Sequence, residues 1–134
     1  MGSTAEITGV IQLRSRHSVS VTIDRLEGLL QERGVLVFAR IDFSGDATRS
    51  GLSLLPEQML IFGNPKGGTP LLQQAATVGL DLPLKALVWE DEQGTTWVGY
   101  NTTDYIIQRH GLPSAMSANL AGAITLLQQM SEPS

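Results

Sequence analysis

The segment Gly63-Asn64-Pro65-Lys66-Gly67-Gly68-Thr69-Pro70 lies between an apolar run and a helical pattern. At such a junction backbone N–H groups can hold an anion. The segment is not a nucleotide-binding P-loop. Gly63 and Gly68 have that motif's separation, but Thr69 follows directly and the lysine comes too early. The dinucleotide spacing G-x-G-x-x-G is also missing. Lys66 is one of only two lysines, and the other, Lys85, opens the next long strand pattern; the remaining basic residues are arginines. A lysine supplies a point charge for a carboxylate or phosphate. With Asn64 and Asn101 as orienting amides and the N–H groups of Gly67 and Gly68 as donors, the set reads as an anion site. The competing reading is a tight turn that starts a helix at Thr69-Pro70, with both lysines solvated.

Acid–base chemistry has fewer places to sit. Glu90, Asp91 and Glu92 fall in a hairpin turn, where charge is ordinarily solvated. Asp42, with Asp46 nearby, ends an otherwise apolar strand pattern, so it is the better general base. His110 lies in the last turn of a short helix; it is a catalytic candidate beside a plain capping role, since a cation suits that end of the dipole. His17 falls on the apolar side of a strand pattern and reads as a core histidine. No G-x-S-x-G elbow occurs; Arg49-Ser50-Gly51-Leu52-Ser53 is the nearest stretch and lacks the leading glycine.

The elements that must position these residues follow from periodicity. Ile11 to Val21 alternates apolar and polar and predicts a half-exposed strand, after which Thr22 caps a helix that Gly34 ends. Val35 to Phe43 is apolar on both faces and predicts a central strand covered on both sides. A helical turn around Ala47 to Ser50, a strand at Gln58 to Phe62 and a helix from Leu71 to Val78 come next. Leu84 to Glu90 and Thr96 to Asn101 form a hairpin closed at Asp91-Glu92-Gln93-Gly94, a type I turn with glycine at a bulge. If Asp91 faces Thr95, Trp89 faces Trp97, Leu87 faces Gly99 and Lys85 faces Asn101. Thr103 to His110 is a short helix. Met116, Leu120, Ala123, Ile124 and Leu127 then make the stripe of a last one.

The expected fold class is therefore α+β: a two-layer sandwich with a mixed, mainly antiparallel sheet and helices packed mostly on one face. Both faces of the hairpin are apolar, and one helix layer covers only one. This predicts a twofold dimer burying Trp89 or Trp97, unless the last helix covers that face.

Composition narrows the function classes. At 134 residues the chain amounts to a single domain, 1–134, and 42% hydrophobic residues with 16% charged exclude disorder. It has no cysteine, so disulfides and thiolate metal sites are excluded. With two histidines no metal site is expected. A formal charge of −4 argues against nucleic acid as a partner. No apolar run reaches membrane-spanning length, and the N-terminus lacks the basic-then-apolar order of a signal peptide. The expectation is a cytoplasmic protein with no membrane partner.

Several segments, in order, resemble the family catalogued as domain of unknown function 302. They are Phe38-Ala39-Arg40-Ile41-Asp42, Ile61-Phe62-Gly63-Asn64-Pro65-Lys66, Thr69-Pro70-Leu71, Leu80-Asp81-Leu82-Pro83-Leu84-Lys85, Val88-Trp89-Glu90-Asp91, Trp97 and Tyr100-Asn101. The resemblance runs from about residue 19 to 112, with the N-terminal strand and the C-terminal helix flanking it. It implies a compact α+β domain that forms a homodimer, and no established activity. The family pattern commonly has histidine after the Ile-Asp pair, where this chain has Phe43, so no role of that histidine carries over. Asp42, Asn64, Lys66, Lys85, Asn101 and His110 match the pattern.

Three functions follow. The first is a homodimeric binding module for an anionic small molecule, with no cofactor, held by Asn64, Lys66, Gly67, Gly68, Lys85 and Asn101. The second is an enzyme with Asp42 as general base and a lysine as electrostatic stabiliser. The third is a structural dimer without a ligand site. Clustering of the named residues around one pocket favours the first two, and a raised Asp42 pKa favours the enzyme.

Overall fold

Period-two patterning builds five strands in the computed structural model, which describes residues 6–131. They are β1 (Val10–Ser15), β2 (Leu36–Asp42), β3 (Glu57–Gly63), β4 (Leu84–Glu90) and β5 (Thr96–Asn101). They form one sheet in the order β1-β5-β4-β3-β2. Every pairing is antiparallel, so the parallel component expected of a mixed sheet does not occur among the described residues. The helices are α1 (Val19–Glu32), α2 (Phe43–Arg49), α3 (Pro65–Gln74), α4 (Thr103–Arg109) and α5 (Ala118–Ser131), with 3₁₀ turns at Ala76–Leu80 and Ser114–Ser117. The α+β class holds.

The two faces of the sheet differ completely. Leu60, Phe62, Leu84, Ala86, Val88, Val98 and Tyr100 are buried with Ile23, Leu26 and Leu30 of α1, Leu71 of α3, Ile106 and Ile107 of α4, and Leu120 and Leu127 of α5. The other residue parity puts Met59, Ile61, Leu87, Trp89 and Trp97 on the opposite face. The last helix packs against α1, α3 and β1, on the core side, so it does not cover the tryptophans.

The hairpin matches its expected geometry. Trp89 pairs with Trp97, and the Asp91 N–H donates to the Thr95 carbonyl at 2.9 Å. Gly94 has φ +82°, a conformation costly for residues with a Cβ. The Trp89 ring lies over Gly99, where an added Cβ would come within 2.8 Å of it.

Three expected elements need correction. The first strand ends at Ser15, not Val21. Ser18, extended at ψ 166°, accepts the Val21 N–H and starts α1 four residues before Thr22. Val19 then joins the buried helix face. Thr22 is a buried helical residue whose hydroxyl lies 2.6 Å from Ser15 Oγ, not a cap. His17 falls in the half-buried bend between β1 and α1 rather than on a strand face.

The strand over 35–43 is not central. β2 is an edge strand, with Leu36 49% and Phe38 54% exposed. A bulge between Val37 and Ala39 breaks the alternation, so Val37 and Arg40 share the helix side while Ala39 and Ile41 take the other. Arg40 there pairs with Asp24 at 2.7 Å and Glu27 at 3.0 Å, both on α1. Phe43, expected to finish the strand, is instead the first residue of α2.

The third correction concerns the Gly-rich segment. It is helical from Pro65, so α3 begins before the expected Thr69 cap, places Pro70 inside the helix and ends at Gln74 rather than Val78, because extended Ala75 separates it from the 3₁₀ turn at Ala76–Leu80.

Candidate functional site

Asn64 decides the fate of the Gly-rich segment. Its Oδ1 accepts the Lys66 N–H at 3.0 Å, and its carbonyl accepts the N–H groups of Gly67 at 3.0 Å and Gly68 at 2.9 Å. Pro65 has no N–H. The orphan donors of the helix start are therefore satisfied internally. The anion cradle expected at Gly67 and Gly68 does not form, because the hydrogen bonds it needs are inside the helix.

The two glycines serve packing instead. A Cβ at Gly67 would fall 2.4 Å from the backbone oxygen of Asn119, so only glycine lets α3 approach α5 this closely. Asn119 Nδ2 donates to the Gly67 carbonyl at 3.1 Å and locks the contact. Gly68 meets only ordinary packing, with Leu82 Cδ1 at 3.8 Å from its would-be Cβ.

Beside this crossing a cavity of about 580 Å³ opens at the end of the sheet where β2 begins and β3 ends. That volume suits a small organic ligand. Its walls come from Val35 and Phe38 at the start of β2, α3 (Gly68, Thr69, Leu72), the lead into β4 (Leu82, Pro83, Leu84) and α5 (Leu120, Ala123, Leu126). Arg33, at the C-terminal cap of α1, is the one charged residue in the lining, which holds no carboxylate. Arg33 makes no ion pair among the described residues. The polar remainder is Asn64, Thr69 and Asn119.

The expected site residues separate. Asn64 and Gly68 line the cavity. Lys66 stands exposed on the first turn of α3 and is not in the lining. Lys85 shares the open sheet face with Leu87 and Trp89, its Nζ 3.4 Å from the Pro83 carbonyl. Asn101 ends β5 on that same face, opposite Val10. Asp42 is far from a base in chemistry: it caps α2, accepting the Gly45 N–H at 3.0 Å and the Ser44 hydroxyl at 2.8 Å. Those bonds, the Gly45 N–H first, hold its carboxyl below the ordinary carboxylate value. A general base working near neutrality needs the opposite shift.

His110 is the C-terminal cap of α4, but its side chain crosses to the turn before β4. Nε2 lies 2.6 Å from Asp81 Oδ2, and Nδ1 lies 3.0 Å from the Thr77 hydroxyl. Arg109 holds the same carboxylate at 2.9 and 3.0 Å. The Asp81 carboxylate accepts from Nε2, and Nδ1 faces the Thr77 hydroxyl, which can serve as either partner. The order hydroxyl–imidazole–carboxylate is that of a nucleophilic triad. Here it ties the 76–80 turn to α4, and none of the three residues lines the cavity. Among the described residues no three His, Asp or Glu gather as a metal site.

Sequence reasoning passed over Arg33, Asn119 and the Asp81 clamp. Arg33 is one arginine among several, before a helix-ending glycine. Asn119 and Gly67 are 52 positions apart. Asp81 falls within a segment that carried the family resemblance, but nothing local linked it to His110.

The model of the family described as "Domain of unknown function DUF302" matches residues 11–130. Two proteins named "Fluoride-specific ion channel FluC 1", from Brucella suis biovar 1 (strain 1330) and Brucella abortus biovar 1 (strain 9-941), are each 40% identical over 118 residues. The match covers 88% of this chain but 46% and 44% of those proteins, so the chain spans less than half the length of the curated relatives it matches. A structure described as "Crystal structure of uncharacterized conserved protein DUF302 from Bacillus stearothermophilus" superposes with a TM-score of 0.77. It is 22% identical, and the match covers 93% of this chain and 97% of that one, which establishes a shared fold. No helix among the described residues is long and apolar enough to cross a membrane.

Proposed function

The chain belongs to the DUF302 family, a domain of unknown function, and from that premise we propose a homodimeric binding module for an anionic small molecule held in the end cavity. The observation that carries this reading is the lining: an apolar cavity of about 580 Å³ whose one charged residue is the unpaired Arg33. A largely apolar cleft with a few polar groups is a common form of a small-molecule site. A cation in a lining that holds no carboxylate favours an anion. Asn64 and Gly68 contribute to the wall, and Lys66 stands two positions beyond Asn64.

The homodimer rests on the uncovered sheet face, where Met59, Ile61, Leu87, Trp89 and Trp97 lie together. A contiguous apolar patch on a monomer marks an interface. Native mass spectrometry tests both parts at once. The expected result is a dimer mass carrying a small molecule that denaturing conditions release. A ligand-free monomer from native expression contradicts the reading.

A second reading has its own support: the curated relatives are named as fluoride channels, and the matched region is less than half of each. We infer that this domain is an accessory unit that acts beside an ion channel. Coexpression and pull-down with the remaining part of such a channel is the direct test. Failure of the two parts to associate removes it.

A further inference from the structure

We propose that the ligand of the end cavity is an amphipathic monocarboxylate: an unbranched hydrocarbon chain with a single carboxylate head. This rests on the reading that the cavity is the ligand site and goes further by naming the chemical class. Register fixes where a head group would sit. Leu36 pairs with Gly63, so the preceding stretch of β2's approach and the following Asn64 lie at the same end of that ladder. Arg33 and Asn64 both belong to the lining at the mouth where β2 begins and β3 ends.

Arg33 offers a forked donor suited to a carboxylate. Asn64, also in the lining, engages its Oδ1 with the Lys66 N–H, which leaves its amide nitrogen as its side-chain donor. Most of the remaining wall is apolar, with Leu72, Leu84, Leu120 and Leu126 beside the polar side chains of Thr69 and Asn119. The leucines offer a tail no hydrogen bond, and two further polar side chains are too few for the several polar groups of a sugar or a nucleotide base. A single cation in a lining without a carboxylate matches one negative charge, whereas a phosphate monoester brings nearly two.

Small residues keep the tail space open. Gly122 lines the cavity on α5, and a Cβ there meets nothing within 4 Å. A larger residue at 122 can therefore enter the cavity without a backbone clash, and in a helix it also removes glycine's conformational cost.

The test uses the whole chain with sodium decanoate, decanol and decyltrimethylammonium, each below its micelle concentration, followed by calorimetry and thermal unfolding. The wild type is expected to bind decanoate and decanol and to reject the cation. Arg33→Met should weaken decanoate at least tenfold, leave decanol within about twofold and leave the unliganded Tm unchanged. Gly122→Leu should abolish binding of both while keeping or raising the Tm. If decanol binds and Gly122→Leu blocks it, but Arg33→Met leaves decanoate unaffected or the cation binds as well as decanoate, the carboxylate class is wrong and the cavity reading survives. If no amphiphile binds the wild type, the class is overturned. The broader reading is decided separately by native mass spectrometry of the wild type, and falls if the protein carries no small molecule.

Discussion

The two faces of the sheet carry nearly the same kind of side chain and have opposite fates. On one, Leu60, Phe62, Val88 and Val98 are wholly buried under α1, α3, α4 and α5. On the other, Ile61, Leu87, Trp89 and Trp97 are only part-buried, and Leu36 and Phe38 on β2 remain about half exposed. The covered face accounts for folding. The open face needs another explanation, because apolar area facing water contributes nothing to a monomer's stability. Polar contacts mark the contrast as well. Arg40 crosses from the edge strand to two acids on α1, which fastens the helix layer, while Trp97 is held from its rim by Asp91 alone, Nε1 donating to Oδ2 at 2.9 Å.

The largest effect that could break this comparison comes from truncation on neighbouring strand positions. Phe62→Ala should destabilise the chain by about 3–5 kcal/mol in urea unfolding, the usual cost of emptying an aromatic core site. Ile61→Ala, one residue away on the open face, should cost less than about 1.5 kcal/mol under conditions that keep the protein monomeric. Equal losses would mean that the open face is covered within one chain.

A charge on the open face sharpens the dimer reading. Trp89→Glu should shift the light-scattering mass from dimer to monomer, while the circular dichroism spectrum remains that of the wild type. A variant that stays dimeric places the interface elsewhere.

The smallest effect concerns the rim of that face. The Trp97 N–H first, then the Thr95 and Gln93 N–H groups, hold the Asp91 carboxyl below its ordinary value of 3.8. A depressed carboxylate stabilises the folded state fully above the unfolded value and loses that contribution as pH falls through the folded one. In a Trp89→Phe background, Trp97 emission should therefore change only below about pH 4, the ordinary carboxylate range. Asp91→Asn should remove that acid step. A step that persists in Asp91→Asn would belong to another group.

Local signals were legible where one segment supplies its own partners. The hairpin register followed from Asp91-Glu92-Gln93-Gly94, because turn length and a left-handed glycine determine which residues face each other. The short helix over 103–109 was read correctly, with Thr102 as its observed cap; the last helix, with its stripe of Leu120, Ile124 and Leu127, was legible too. The misreadings share one cause, competition between neighbouring signals. Val19 and Val21 continue an alternating pattern, yet Ser18 offers a cap that ends it. Thr69-Pro70 resembles a helix start, yet Asn64-Pro65 supplies one earlier with the side-chain bond to complete it.

The candidate site was barely legible. Asn64 and Gly68 were identified, for a cradle that does not form, while Arg33, Gly122 and Leu126 carried no local pattern that marked them. By itself the sequence determined the fold class, the hairpin register and the existence of a second apolar sheet face, because periodicity and turn chemistry act over a few residues. Tertiary structure alone decided that β2 lies at the edge, that Gly67 touches Asn119, that His110 reaches Asp81, and that a cavity opens beside Arg33. Each of these depends on residues far apart in the chain, whose meeting is set by how the helix layer packs on the sheet.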